Sequence, residues 1–323
     1  MRHSQLIQIH GTNVKVSRLS LGTAPLGGLF KSVPEPESDA VIHEALDAGI
    51  AYIDTAPLYG YGVGEFRVGR GIKGHRHQPV ISTKVGRLLR PGKNLEHHKF
   101  PDADPNIEIF FDYSAAGIRK SLEESLKRLG RDSVEIAYIH DADTWVREAI
   151  DVAYPELHKM RDEGLIEAIG IGMNWCPTSL AIMKETELNI ALIAGRFTLL
   201  DQSAQDELYP LALKKKVSII AAGVFNSGVL ANPAPGSYYD YEPASKEIIE
   251  KARTIGKFLE KFDISLQAAA LQFPLRHSAV ASVLSGAGSV KELRENISNF
   301  DAQIPDDLWS QMESEGLISK IPT

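Results

Sequence analysis

Asp54, Tyr59, Lys84 and His140 are the residues of this chain best suited to moving a proton. Asp54 and Tyr59 lie in Ala51-Tyr-Ile-Asp54-Thr-Ala-Pro-Leu-Tyr59-Gly, Lys84 closes Val80-Ile-Ser-Thr-Lys84, and His140 closes Val134-Glu-Ile-Ala-Tyr-Ile-His140. A phenol beside an ammonium can run as acid or base near neutral pH, because the ammonium favours the phenolate. A carboxylate would keep that ammonium charged and oriented. Each residue also has an ordinary reading. An Asp after a strand usually forms a turn, a strand-end Lys is usually solvated, and His140 with Asp141 reads as a surface pair. Their shared position, at or just after the ends of β-rich runs, is what points to chemistry.

The elements that must place them alternate. Strands are expected over 17–23, 51–55, 79–84, 134–140, 167–172, 190–195, 217–223 and 280–285, with amphipathic helices between. Ser38 reads as the cap of a helix that Gly49 ends. Ser114 reads as the cap of one with Ile118, Leu122, Leu126 and Leu129 on one face, stopped by Gly130. A third helix is expected from about Val146 to Glu163. Strand–helix alternation implies parallel strands with right-handed crossovers. Eight such units predict one closed (β/α)8 TIM barrel over 1–323, whose active site lies at the strand C-termini. An open doubly wound sheet would need Gly-x-Gly-x-x-Gly after its first strand; Gly22-Thr-Ala-Pro-Leu-Gly27-Gly28 has other spacing and a proline.

Two additions frame the barrel. Residues 4–16 alternate and turn at Gly11-Thr12, which predicts an N-terminal β-hairpin that plugs the barrel bottom. Residues 86–113 read as a long irregular loop, a lid over the site. A C-terminal tail at 301–323, with Trp309, Met312 and Leu317, is expected to close the site or to pack at an interface. The oligomeric state is open.

Of 323 residues, 43% are hydrophobic and the net charge is −7 with both signs interspersed. No basic stripe suggests a nucleic-acid partner, and no apolar run is long enough for a signal peptide or membrane span. Cys176 is the single cysteine, which excludes an intrachain disulfide and fits a cytoplasmic protein. It stands at a predicted helix start, where a dipole could lower a thiol pKa; a small residue filling a helix start is the simpler reading. His75 with His77, and His97 with His98, lack convergent ligand spacing, so no metal site is expected.

The run Asp54-Thr-Ala-Pro-Leu-Tyr59-Gly resembles the aldo-keto reductase signature. The resemblance extends through Gly22-Thr-Ala-Pro-Leu-Gly, Ser82-Thr-Lys-Val-Gly-Arg-Leu-Leu89, Gly170-Ile-Gly-Met-Asn174, Leu199-Leu-Asp-Gln-Ser203, Gly223-Val-Phe-Asn-Ser-Gly228 and Ala268-Ala-Ala-Leu-Gln-Phe-Pro274. It is strongest to the branch of sugar 1-dehydrogenases that includes L-fucose and D-threo-aldose dehydrogenases, and which also resembles pyridoxal 4-dehydrogenase. The resemblance implies that Tyr59 is the acid–base residue, with Lys84 and Asp54 behind it and His140 at the substrate oxygen.

It also implies a nicotinamide dinucleotide across the barrel mouth. Gly22 and Thr23 should approach it closely, Asn174 should meet the nicotinamide amide, and Asn226, Ser227 and Gly228 should run along the pyrophosphate. The tyrosine that many relatives place under the nicotinamide falls at Ala222 or Gly223, so that contact is missing or comes from elsewhere. Ser285, Gly286, Gly288, Glu292 and Asn296 should hold the adenosine end at a helix N-terminus. Glu292 would repel a 2′-phosphate, so NAD is expected over NADP; alternatively Ser289 and Glu292 form a capping box and nothing more. Lys291 and Arg294 could still offer charge, so use of both cofactors stays open.

The implied substrate is a small molecule: the C1 hemiacetal of an aldose, oxidised to a lactone, or pyridoxal, which also forms a cyclic hemiacetal. Trp145, Trp175 and the 86–113 loop could offer a sugar platform, or the tryptophans could be core. A general carbonyl reductase is a further reading. A binding subunit that retains cofactor but acts through a partner is a reading of another class.

Overall fold

Period-2 patterning puts alternate residues of each barrel strand inside and outside. In this computed structural model, which describes residues 2–95 and 97–321, that pattern sorts the core into two layers. Glu96 of the long loop and Pro322 and Thr323 of the tail lie outside the described residues.

In chain order the strands are β1 (Leu6–Gln8), β2 (Lys15–Ser17), β3 (Leu19–Gly22), β4 (Tyr52–Asp54), β5 (Val80–Val85), β6 (Arg87–Pro91), β7 (Ile107–Phe111), β8 (Ile136–His140), β9 (Ala168–Met173), β10 (Ile190–Ala194), β11 (Ser218–Ala222), β12 (Tyr238–Tyr239), β13 (Glu242–Pro243) and β14 (Val280–Gly286). Strands β3, β4, β5, β8, β9, β10, β11 and β14 pair in parallel and close into a barrel of eight. Each falls within a residue or two of its expected place. Val, Ile and Ala dominate them because both faces are buried. Ile53, Ile81, Ile139, Ile169 and Ile193 face the helical layer, while Tyr52, Tyr138, Leu192 and Leu284 fill the interior.

The β1–β2 hairpin is present and antiparallel, and Ile9, Val14 and Val16 join the interior cluster. It does plug the barrel. Ser114 caps the helix Ala115–Leu129, accepting from Gly117 N, and Gly130 ends it at φ 64°.

Four expectations change. The helix Glu35–Asp47 starts three residues before Ser38, which lies inside it and donates to Glu35 O. Pro36 has a fixed φ and no N–H to satisfy, and Glu35 and Glu37 suit the positive helix end, so the first turn forms ahead of the serine. The segment 146–162 is helical but contains one wider π turn over Ala149–Ala153. Pro155 follows two residues after Ala153 and has no N–H to keep the i→i−4 ladder, so the ladder relaxes before it. Residues 86–113 are not irregular throughout: β6 and β7 pair antiparallel, so the loop is a ribbon with its bend at 92–106. The tail forms a helix, Asp306–Ser314, with Leu308 and Met312 fully buried and Trp309 against Phe273 and Arg276. It packs on the helical layer and none of its described residues lines the cavity.

Candidate active site

Inward parity delivers three of the four residues. Asp54 on β4, Lys84 on β5 and His140 on β8 face inward, one step toward the strand ends from Tyr52, Ser82 and Tyr138. The lower three are hydrogen-bonded together: Tyr52 Oη lies 2.8 Å from Ser82 Oγ and 3.0 Å from Tyr138 Oη. Ser82 Oγ then donates to Asp54 Oδ1 at 2.6 Å. A one-residue slip of β5 would turn Lys84 out of the barrel.

Lys84 donates to Asp54 Oδ2 at 2.6 Å, to Thr55 O at 2.9 Å and to Tyr59 Oη at 3.0 Å. All three of its protons are therefore engaged. Asp54 and Lys84 are both buried. Burial raises the Asp54 carboxyl more than Lys84 and Ser82 lower it. Tyr59 sits in the loop after β4, pressed against the turn Pro25–Gly27. A Cβ on Gly27 would stand 2.6 Å from the Tyr59 carbonyl carbon, so only glycine permits this approach. The Tyr59 ring meets His140 edge-on, with centroids 6.4 Å apart.

The expected lowering of the tyrosine pKa is not what dominates here. Burial pushes the Tyr59 phenol well above its ordinary value, Asp54 and Asp141 push the same way, and Arg87 opposes. The resting residue is a phenol, ready to donate.

His140 is 5% exposed, so it is no surface residue. Burial, then the charges of Arg87 and Lys84, hold its imidazole neutral, well below the ordinary value. Its Nδ1 has no partner among the described residues. A histidine with a depressed folded pKa contributes stability that is present above its unfolded value, about 6.5, and is lost as pH falls below it. Stability is therefore expected to fall from pH 6.5 toward 5, this residue contributing up to about 1.4 kcal/mol per pH unit. Urea unfolding of His140→Gln should show a flatter slope in that range; the same slope as the parent would refute the assignment.

These side chains open into a cavity of about 580 Å³. Gly22, Asn174, Asn226, Ser227, Gly228, Ser285 and Gly286 line it. Thr23, Gly288, Glu292 and Asn296 do not. Thr23 gives both its N–H and its hydroxyl to Asp54 O, tying β3 to β4. Asn296 donates to Ser285 Oγ and Gly286 O, bracing the strand end. Half of the capping box forms: Ser289 Oγ accepts from Glu292 N, whereas Glu292 Oε2 accepts at 2.8 Å from the N–H of Gly288, one residue before the cap. Arg294 is held bidentately by Glu44, and Lys291 faces Glu295.

A dinucleotide fits this strip. Asn226 is 2% exposed, at φ 45°, and its Oδ1 has no partner among the described residues. With Ser227 and Gly228 also at positive φ, the backbone there is curved in the manner that suits close approach of an anion.

Several lining residues escaped the sequence. Arg87 and Asp141 form an ion pair on the wall beside His140. Tyr241 reaches the cavity from the β12–β13 hairpin, whose turn puts Asp240 and Tyr241 at φ 50° and 64°. Arg196 holds that hairpin through Asp240, and holds Asn174 through its carbonyl. Tyr241 N donates to Ser227 Oγ, and Tyr238 stacks on Phe30 across the mouth at 4.6 Å. Tyr241 thus brings an aromatic ring to a cavity wall on which Ala222 and Gly223 carry none.

Lys99 and Phe100 of the long loop line the cavity, and Asp102 anchors that loop to Arg67 and Ser32. Neither Trp145 nor Trp175 lines the cavity. Trp145 is 37% exposed and stacks on Tyr113, and Trp175 is 55% exposed, so neither is core. Cys176 opens the helix Cys176–Glu185, but burial pushes its thiol up, against the dipole. No His, Cys, Asp and Glu cluster that could hold a metal occurs among the described residues. None of their helices is long and apolar enough to cross a membrane.

The chain is similar to known proteins over nearly its whole length. The model of the aldo/keto reductase family matches residues 18–315. The pyridoxal 4-dehydrogenase of Microbacterium luteolum is 38% identical over 95% of this chain and 96% of its own. The D-threo-aldose 1-dehydrogenase of a Pseudomonas species is 36% identical, covering 94% and 95%. Among solved structures, the holo form of an aldo-keto reductase from Bacillus halodurans superposes with a TM-score of 0.81 at 25% identity, covering 99% of this chain and 98% of that one.

Proposed function

We infer the reaction from one premise: this chain belongs to the aldo/keto reductase family and is an oxidoreductase. Our proposal is that it oxidises the C1 hemiacetal of an aldose to a lactone. The observation that carries it is the buried chain from Asp54 through Lys84 to Tyr59, with a neutral His140 at its open end. A nicotinamide dinucleotide, when bound, supplies the hydride acceptor. Tyr59 takes the proton of the anomeric hydroxyl, and His140 holds that oxygen by a hydrogen bond. The phenol must first lose its own proton; Lys84 stabilises the phenolate that then acts as the base and becomes phenol again as it takes the substrate proton, C1 giving its hydride to the nicotinamide, and Asp54 keeps Lys84 in place. Gly22, Asn174, Asn226, Ser227, Gly228, Ser285 and Gly286 hold the cofactor, and the side chains of Thr23 and Asn296 brace that strip.

We also propose NAD over NADP. The carboxylate of Glu292 at the adenosine end would oppose a 2′-phosphate, and Glu44 engages Arg294, one of the two candidate counter-charges. A cytoplasmic location is part of this reading. The second reading is oxidation of pyridoxal, favoured by the relative at 38% identity; it uses the same four residues.

The test is NADH and NADPH formation by one purified sample with L-fucose, D-arabinose, L-galactose and pyridoxal. The expected result is NAD reduction with a sugar, faster than NADP reduction. Turnover of pyridoxal alone would move the protein to the second reading. Silence on all four would refute both.

A further inference from the structure

Asp141 follows His140 at the end of β8 in the left-handed region, at φ 41°, which aspartate adopts more readily than most residues other than glycine. The turn is held from both sides. Its N–H donates to Gly172 O at 2.9 Å, and Tyr113 Oη donates to the carbonyls of His140 and Asp141. The carboxylate lies on the cavity wall, with Oδ2 2.5 Å from Arg87 Nη2 and 3.5 Å from His140 Nε2. Arg87 in turn rests over the Phe111 ring at 5.1 Å. Burial raises the Asp141 carboxyl, and Arg87 is the first influence opposing it.

The proton path does not need this pair. Lys84 already has Asp54, and a neutral His140 needs no counter-charge. A partly buried carboxylate that lies on the cavity wall beside the reacting centre, outside the proton path, is placed to meet a ligand. The contacts with Arg87 and His140 both fall on Oδ2, so a donor from a ligand would be met by Oδ1. Asp141 stands 3.5 Å from His140 Nε2, so an oxygen held between Tyr59 and His140 would bring the next substituent of the substrate toward it.

We propose that Asp141, positioned by Arg87, is a specificity-determining residue that accepts a hydrogen bond from the hydroxyl on the carbon next to the reacting carbon. The substrate class is thereby narrowed to 2-hydroxylated hemiacetals. The inference rests on the aldose reading above. A site built to pair a hydroxyl rejects the analogue lacking it, because its own polar groups then stay unpaired.

The test compares kcat/KM for L-fucose with 2-deoxy-L-fucose, and for D-arabinose with 2-deoxy-D-ribose, which differ only at C2. The parent enzyme should prefer the hydroxylated sugar by about 10²-fold or more. Asp141→Gly removes the carboxylate and suits the positive φ, so it should fold. Its preference should shrink to within about threefold of unity. Asp141→Asn keeps a neutral acceptor in a residue that tolerates this backbone, and its preference should lie between the two. A preference unchanged in Asp141→Gly, with both sugars slowed alike, would overturn the inference and leave Asp141 a support for His140. Parent enzyme that oxidises both sugars of a pair equally would also overturn it while the aldose reading stands. Parent enzyme that oxidises pyridoxal and no sugar would overturn both.

Discussion

Tyr59→Phe is expected to lower kcat for hemiacetal oxidation by about 10²–10⁴-fold, the usual worth of a positioned acid–base group, with the fold retained. The substitution removes one hydroxyl at the cavity edge. Lys84 keeps its bonds to Asp54 Oδ2 and Thr55 O, and the ring keeps its edge contact with His140. The pH profile makes the expectation sharper. Burial holds the phenol well above its ordinary value, with Asp54 and Asp141 adding to it. Oxidation requires the deprotonated oxygen, so the parent kcat/KM for oxidation should climb as pH rises toward the alkaline side. Reduction uses the phenol and should not show that climb. Initial rates in both directions from about pH 6 to 10 check this, and Tyr59→Phe should lose the climb along with the rate. Turnover equal to that of the parent would sink the mechanism. A barrel acting only through a partner protein would keep its partner after this change, so a binding measurement on the same variant separates the two classes.

The legible part of the site is the part written in strand parity. Asp54, Lys84 and His140 each end a β-branched run, and a strand's period of two fixes which face each occupies once its neighbours are known to be core. The barrel follows from the same runs, because strands buried on both faces with helices between them have few other architectures. Tyr59 is legible only as a residue just after a β-rich run; its place at Lys84 depends on Gly27 and Gly60 letting two loops touch, which no local pattern displays.

The rest of the site is built from long-range pairings that leave no periodic trace. Asp141 looks like a surface neighbour of His140 until β6 brings Arg87 against it. Tyr241 lies in a turn with two non-glycine residues at positive φ, which lacks the Asn-Gly type of signal that marks such hairpins. Arg196 and Ser227 hold it there from other loops. Trp145 and Trp175 show the converse error. An exposed aromatic near a strand end suggests a platform, but the direction a loop side chain takes is set by its packing, and Trp145 turns to Tyr113 instead. Thr23 and Asn296 fall near the site as expected, yet their polar atoms are committed to holding strand ends together.

Lys84→Met is expected to abolish most turnover and to destabilise the fold, and the two losses have separable causes. Removing one partner of a buried ion pair leaves the other charge uncompensated, typically at a cost of about 3–5 kcal/mol. Asp54 is that charge, 0% exposed and still held by Ser82. Its carboxyl is already raised by burial against the pull of Lys84, so without Lys84 it rises further. A carboxyl raised in the folded state contributes stability that is fully present below its unfolded pKa, about 3.9, and lost as pH rises through the folded value. The deficit of Lys84→Met relative to the parent should therefore be small near pH 5 and grow toward pH 8, as read by urea unfolding at both. Adding Asp54→Asn to the variant removes the buried charge, so stability should recover at pH 8 while turnover does not. A deficit independent of pH, or a double variant no more stable than the single one, would show that packing around the Lys84 stem, and not the charge on Asp54, is what the substitution disturbs.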